Sequence, residues 1–212
     1  MTRSARGALA LPVALYLVTG LTLLMGAVRS VEVPLGALPE DSLHLAATPL
    51  AIGLHALSAT LFGLIGPWQF SRTLRRRFGR AHRVAGRVFA VSGVAMGITG
   101  LRLVMAHADR SAPLVDGARA AFALGLIVTL ALAVQAIRLG RVETHRDWMI
   151  RSYALGMGTA PIAVIFLPIY VVTGTPPMGP AADALFIGSW VASVLVAELV
   201  IRRLHRPLGV PA

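Results

Sequence analysis

The 212-residue sequence contains no cysteine and carries few charges. Without cysteine the chain forms no disulfide and offers no thiolate to a metal or an iron–sulfur cluster. Only 14% of the residues are charged, against about 25% in ordinary soluble domains, while 56% are hydrophobic. The charges form short clusters that separate long apolar runs. This pattern is typical of a chain that crosses a membrane several times.

Six apolar runs are long enough to span a bilayer, which takes about 20 residues as a helix. They predict an all-α fold, a single polytopic transmembrane helix bundle over residues 1–212 with no separate soluble domain. The first run resembles a signal peptide, but it is too long and lacks a small-residue cleavage site, so we expect it to be retained. The predicted spans are Ala8–Val28, Ala47–Trp68, Val84–Ala106, Arg119–Ile137, Trp148–Val172 and Ala182–Ile201.

Charge alternates between successive connections. The net charge is +11, and all 20 basic residues are arginine. They concentrate in the N-terminus, the second and fourth connections and the C-terminus, whereas the other connections are mostly acidic. The positive-inside rule therefore predicts that both termini are cytoplasmic, in the plasma (inner) membrane of a bacterium. Such basicity in a membrane protein indicates contact with anionic lipid headgroups at the cytoplasmic face rather than with nucleic acid.

The connections and the third span carry further patterns. The longest outer connection, residues 29–46, contains Pro34 and Pro39, which should limit regular structure; a short interfacial helix could begin at Pro39. In the third span Gly93 and Gly97 form a GxxxG pattern. Small residues at this spacing let helices approach closely, either inside the bundle or in a homodimer.

The second and third spans resemble the fourth and fifth. In both pairs, Gln near the end of the first span is followed by Gly-Arg and then by His-Arg at the start of the second. This order predicts two parallel repeats related by an axis along the membrane normal; the alternative is that arginine-rich connections converge by composition alone. The matching residues are Gln69 and Gln135, Gly79-Arg80 and Gly140-Arg141, His82-Arg83 and His145-Arg146, and Arg87 and Arg151.

His82 and His145 are the first candidates for chemistry. Both begin a span at the cytoplasmic end, and two imidazoles that face each other across a bundle can ligate haem iron axially. Arg87 and Arg151 lie behind them, and arginine can pair with haem propionates. The alternative is that both histidines belong to a buried polar network or anchor headgroups. Haem b is the one cofactor that these residues suggest, and no spacing supports a metal site.

Other polar residues lie at membrane depth. His55, in the outer half of the second span, is a candidate functional group; the alternative is a hydrogen-bonded histidine of the core. By depth its expected partner is Arg102, although that side chain could instead reach the interface. Arg151 needs an acidic partner, because an unpaired charge in the membrane is costly. Glu198 and Asp147 are the available acids, so a salt-bridged clamp is expected.

An arginine series follows the second span. Its members recur at spacings of four, four, three and four, so they would form one stripe if the segment were helical. Anionic lipid is the expected ligand of such a stripe. The series is Arg72, Arg76, Arg80, Arg83 and Arg87.

Three strings in the sequence carry a family resemblance. They are Gly66-Pro-Trp-Gln69-Phe, His82-Arg-Val-Ala-Gly86-Arg87 and His145-Arg-Asp-Trp-Met-Ile-Arg151-Ser-Tyr. Over roughly Ala51 to Pro168 the chain resembles an uncharacterised bacterial membrane family, domain of unknown function 2306. This resemblance implies a multi-spanning membrane protein and no particular activity. A fainter similarity to cytochrome b561-type haem bundles includes His82 and His145, but the second histidine pair of those bundles lacks its member on the fourth span.

Three functions are compatible with the sequence. A membrane redox component that binds haem b depends on His82 and His145 and would act with an unknown redox partner. A small-molecule or proton-coupled transporter depends on the repeat and on the polar residues at membrane depth, although no pair of spans is strongly interrupted. A non-catalytic, lipid-binding scaffold requires only the arginine series. These patterns do not decide whether the chain is an enzyme.

Overall fold

The chain folds as a bundle of helices. This computed structural model describes residues 3–110, 112–175 and 177–206, and every regular element within these ranges is helical. The side chains of residues 3–9, Asp41 and Leu74 lie outside the description, including those of the N-terminal arginines. The helices are α1 (Arg3–Leu35), α2 (Pro49–Gln69), α3 (Arg72–Arg77), α4 (Gly79–Ala106), α5 (Pro113–Arg138), α6 (Val142–Gly156), α7 (Ala160–Thr173) and α8 (Pro180–His205).

Six helical segments are long and apolar enough to cross a membrane. They confirm the all-α fold with six spans, while the orientation of the termini and the internal repeat stay predictions. A helix suits such segments because its backbone groups are satisfied internally where no water is available. The spans are Ala10–Leu35, Pro49–Gln69, Gly79–Ala106, Pro113–Arg138, Val142–Thr173 and Pro180–His205.

The first helix extends further than the sequence predicted. It continues through Pro34 and ends before Gly36, whose φ of 65° is left-handed. Two backbone hydrogen bonds of 2.9 and 3.2 Å close this helix end, as they commonly do at a left-handed glycine. The prediction that Pro34 lies in a connection was therefore wrong. The short helix predicted near Pro39 is confirmed as a 3₁₀ helix, Glu40–Ala47.

Three helices begin at a proline. Pro49, Pro113 and Pro180 occupy the first positions of α2, α5 and α8. Proline suits this position because its missing N–H has no partner inside the helix and its φ is already helical. The predicted start of the fourth span at Arg119 was consequently too late by about two turns.

Four helices, α2, α4, α5 and α6, share the buried core. α2 packs along α4, α4 along α5, and α5 along α6, while α1 covers α2 and α8 covers α6. At the centre the rings of Phe62 and Phe89 stack with centroids 4.1 Å apart, and neither side chain is exposed. Leu126 and Leu130 of α5 and Met149 of α6 belong to the same buried cluster.

The glycines of α4 allow close packing of three helices. A Cβ added to Gly93 would lie 2.6 Å from Cδ1 of Leu130 and 2.8 Å from the ring of Phe62. A Cβ added to Gly97 would lie 2.7 Å from Cγ1 of Ile127. The GxxxG pattern therefore serves contacts within the bundle, one of its two predicted uses.

The fifth span is interrupted, although Trp148–Val172 was predicted to be one helix. α6 ends at Gly156 and α7 begins at Ala160. The continuous-helix prediction was wrong because an apolar run does not reveal where backbone carbonyls find partners on another helix. Side chains of α8 supply those partners: Trp190 Nε1 donates to Leu155 O at 2.9 Å, and Ser189 Oγ and Ser193 Oγ donate to Gly158 O at 2.7 and 3.3 Å.

Candidate functional site at the arginine-rich end

The arginine-rich end is the end of the bundle where α2 passes to α4, α5 passes to α6, and α8 finishes. His82 lies there in the first turn of α4, with its backbone N–H bonded to Phe78 O at 2.9 Å. Its side chain is half-buried, and its ring Nδ1 is buried without a hydrogen-bond partner among the described residues. Arg75, Arg83 and His145 act on it electrostatically. The structure therefore brings His82 and His145 into the same neighbourhood.

His145 occupies the first turn of α6. The preceding helix α5 is closed by Gly140, whose φ of 72° is left-handed, and the chain then turns directly into α6. The His145 ring Nδ1 lies 2.9 Å from Ala133 O on α5. A carbonyl only accepts, so Nδ1 carries the hydrogen, and in the neutral ring Nε2 is then the nitrogen with a free lone pair. His145 is thus held in one tautomer by a neighbouring helix.

Gln69 ends α2 and reaches the second turn of α4. The residue is 5% exposed, and its Nε2 is buried without a hydrogen-bond partner in the described part of the chain. Its Oε1 would lie 3.3 Å from a Cβ on Gly86, one turn after His82. A buried amide nitrogen without a partner thus belongs to a side chain of α2 that reaches α4 one turn after His82. Gln135, its counterpart in the predicted repeat, is exposed instead.

Arg151 and Glu198 form the expected clamp. The guanidinium of Arg151 makes two parallel bonds to Glu198, Nε to Oε1 at 2.5 Å and Nη2 to Oε2 at 2.9 Å. It also lies over the ring of Trp148, with 4.6 Å from Cζ to the centroid. The clamp ties α6 to α8 just behind His145. By contrast, Arg87 is exposed on α4.

Asp147 has a different partner. Its side chain is 13% exposed, with Oδ2 2.6 Å from His205 Nε2 and Oδ1 3.4 Å from Arg146 Nε. The hydrogen-bond partner of Arg151 is therefore Glu198, the other acid that the sequence offered. The sequence did not identify His205, although an acid in the second turn of a predicted span, Asp147, was a signal that a partner was needed.

His55 is paired, but not with Arg102. Its Nδ1 lies 3.1 Å from Met96 O and 3.2 Å from Thr99 Oγ1. Its ring fits beside Gly100, where a Cβ would lie 3.4 Å from Cε1. Arg102 is exposed on α4. The predicted pairing was wrong because depth alone does not say which way two helices turn their side chains.

The arginine series does not form a single stripe. Arg72 and Arg76 lie on α3, whereas Arg80, Arg83 and Arg87 lie on α4, and all five are exposed. Phe78 separates the two helices with φ −131° and ψ 54°, a non-helical backbone conformation. The condition for one helical stripe is therefore not met.

A histidine pair at the opposite end was also missed. The rings of His44 and His107 meet edge-on with centroids 5.5 Å apart. His107 Nε2 lies 3.0 Å from Thr48 Oγ1. The contact joins the 3₁₀ helix to the end of α4. The two histidines are 63 positions apart in the chain (107 − 44 = 63), so spacing carried no signal.

Among the described residues, no group of three or more His, Cys, Asp or Glu is arranged to hold a metal ion.

The chain matches a family model described as predicted membrane protein (DUF2306) over residues 52–201. No curated protein and no solved structure matches it, so the fainter similarity to cytochrome b561-type bundles receives no support. With most of the chain matched, from the second span to the sixth, this protein belongs to the DUF2306 family of predicted membrane proteins.

Proposed function

We propose that this protein binds haem b at the arginine-rich end and serves as a redox component of a bacterial plasma membrane. The observation that carries the proposal is the buried Nδ1 of His82, which has no hydrogen-bond partner among the described residues. A buried polar atom without a partner costs about 1–3 kcal/mol. A neutral imidazole nitrogen in this condition is a suitable ligand for iron.

His145 supports the proposal from the other side. Metal-bound histidines usually donate their second ring N–H to a carboxylate or a backbone carbonyl, which fixes the ring and raises its basicity. The bond from His145 Nδ1 to Ala133 O has this form. His145 would therefore offer Nε2 to the iron, while His82 offers Nδ1.

The charged surroundings suit the carboxylates of the haem. Arg83 and Arg87 are exposed on α4 near His82, and arginine binds carboxylates strongly. Arg151 is already bonded to Glu198, so its role would be to hold α6 in place rather than to bind a propionate. When bound, haem b would supply one-electron transfer, and the protein would supply its orientation and electrostatics.

Absorption spectroscopy tests this function. The full chain, expressed with a haem supply and purified in detergent, should show a Soret band, and an α band after dithionite reduction. His82→Ala and His145→Ala should each remove or shift these bands. His44→Ala, at the opposite end, should leave them unchanged. A protein without a Soret band under these conditions would rule out the haem function.

A small-molecule or proton-coupled transporter is the second candidate, and one observation favours it. The fifth span is interrupted between α6 and α7, as spans often are where a transporter binds its substrate. The interruption is closed by Trp190 and two serines of α8. Proton or solute flux into vesicles that depends on Ser189 and Ser193 would favour this function over haem binding. A non-catalytic lipid-binding scaffold would show neither flux nor haem.

A further inference from the structure

A groove lies on the surface of the bundle at the far end, the end opposite the arginine-rich end. It runs between the start of α2 and the last turns of α4, with a volume of about 410 Å³. Leu50, Leu54 and Ile98 form its apolar walls, and they are 74%, 46% and 56% exposed. Because α2 and α4 are both membrane spans, these walls face lipid or another molecule within the bilayer.

Arg102 supplies a positive charge to the groove. Its side chain is exposed, and no carboxylate lies within 4.0 Å of it in the described part of the chain. Two hydroxyls of the groove are already engaged, Thr99 Oγ1 with Ala95 O and His55, and Thr48 Oγ1 with His107. The groove thus presents a cation that no carboxylate of the described residues neutralises.

The depth of these groups matches the parts of a phospholipid. Arg102 lies four residues before the end of α4 at Ala106, which is about 6 Å along the helix axis and close to the headgroup level. Ile98 lies one turn deeper, and Leu54 lies one turn deeper than Leu50. The charged group is therefore near the membrane surface, and the apolar walls continue towards the hydrocarbon.

We infer that this groove binds one anionic phospholipid. Its phosphate pairs with Arg102, and one acyl chain lies between Leu54 and Ile98. The charge complementarity favours an anionic headgroup over a zwitterionic one, since no acid among the described residues pairs with Arg102 or is available beside it to bind an ammonium. This site is distinct from the exposed arginines of α3 and α4, because one cation is combined here with a shaped apolar groove. It is also independent of haem binding.

Native mass spectrometry of the full chain tests this inference. The protein would be released from nanodiscs of phosphatidylcholine that contain a small fraction of phosphatidylglycerol. The wild type should retain one phosphatidylglycerol in preference to phosphatidylcholine. Arg102→Gln should weaken this retention at least about fivefold, the effect of one arginine near an anionic lipid surface. Arg110→Gln removes an exposed arginine at the same end but outside the groove, and should retain the lipid as the wild type does.

A second variant tests the apolar part of the groove without changing its charge. Leu54→Trp should fill the space between α2 and α4 and reduce phosphatidylglycerol retention by a similar factor. If Arg102→Gln fails to fold, lipid retention by Leu54→Trp still tests whether the groove binds the phospholipid. Equal retention in Arg102→Gln and wild type, equal retention of the two lipids, or full displacement by glycerol phosphate without acyl chains would each overturn the inference.

Discussion

The two ends of the bundle satisfy their polar side chains differently. At the far end, His55 has two acceptors for its Nδ1 and His107 has a hydroxyl partner. At the arginine-rich end, His82 Nδ1 and Gln69 Nε2 are buried with no partner in the described residues. Since each such atom costs about 1–3 kcal/mol, the arginine-rich end gives up stability that the far end retains. Proteins commonly accept this loss at sites that bind a ligand.

Two buried atoms at the far end also lack a hydrogen bond, but their groups are ion-paired. Asp116 lies 3.2 Å from Arg119, and Arg29 lies 3.1 Å from Glu32. An ion pair compensates much of the cost of removing a charge from water. The difference between the ends therefore concerns neutral groups, and these can be replaced without leaving an unpaired charge.

The largest expected effect concerns the middle of the bundle, between the two ends, and tests whether it is tightly packed. Gly93→Leu would place side-chain atoms against Leu130 and the fully buried Phe62. We expect a loss of about 3 kcal/mol or more in the free energy of unfolding, because a filled core cannot take extra atoms without strain. Unfolding in detergent, followed by tryptophan fluorescence, measures it.

Gly188→Leu is the matched control for this substitution. A Cβ at Gly188, also within a spanning helix, meets nothing within 4 Å. Its stability should equal or slightly exceed that of the wild type, since Leu favours helix more than Gly does. Equal losses in the two variants would mean that the middle of the bundle is not tightly packed.

The second prediction compares paired and unpaired groups within the arginine-rich end. Glu198→Gln removes the charge that receives both bonds from Arg151. We expect the free energy of unfolding to fall by about 1.5 kcal/mol, the lower range for bonds to a charged group, because both side chains are partly exposed. Glu143→Gln, on the exposed face of α6, should change it by less than about 0.5 kcal/mol. Equal changes would show that the clamp contributes no stability.

Hydropathy was enough to predict the six spans, because the preference of a helix for the membrane depends mainly on the summed hydrophobicity of its residues, which can be read from the sequence. It did not predict the break after Gly156. The α8 side chains that donate hydrogen bonds to the freed carbonyls, such as those of Trp190 and Ser189, lie more than 30 residues away in the sequence. A break of this kind depends on tertiary contacts, which an apolar run does not record.

Among the candidate polar residues, some partners could likewise be predicted from the sequence and others could not. The need of Arg151 for an acid could be predicted from its charge and depth, and its partner Glu198 was one of two choices. The partner of His55 could not be predicted, because it includes the backbone carbonyl of Met96. Every residue has a carbonyl, so only the rotation of α2 against α4 selects that one.

The third prediction replaces an unpaired group at the arginine-rich end. Gln69→Leu keeps most of the volume and removes the buried Nε2 that has no partner among the described residues. The ligand-free protein should become more stable by about 1–1.5 kcal/mol, because the desolvation cost disappears. Gln135→Leu, at the equivalent position of the predicted repeat, alters an exposed side chain and should have almost no effect. A destabilised Gln69→Leu protein would mean that the amide already has a partner.

The smallest expected effect is that of replacing one histidine at each end of the bundle with phenylalanine, whose ring has a similar size. His55→Phe should lower the free energy of unfolding by about 1 kcal/mol, since it removes one net hydrogen bond to Met96 O and Thr99. His82→Phe should raise the stability of the ligand-free protein by up to about 1 kcal/mol, because it removes a buried nitrogen without a partner. Parallel unfolding curves of haem-free protein measure both changes. The opposite signs matter more than their sizes: two losses of equal size would mean that His82 is bonded as His55 is, and the difference between the two ends would disappear.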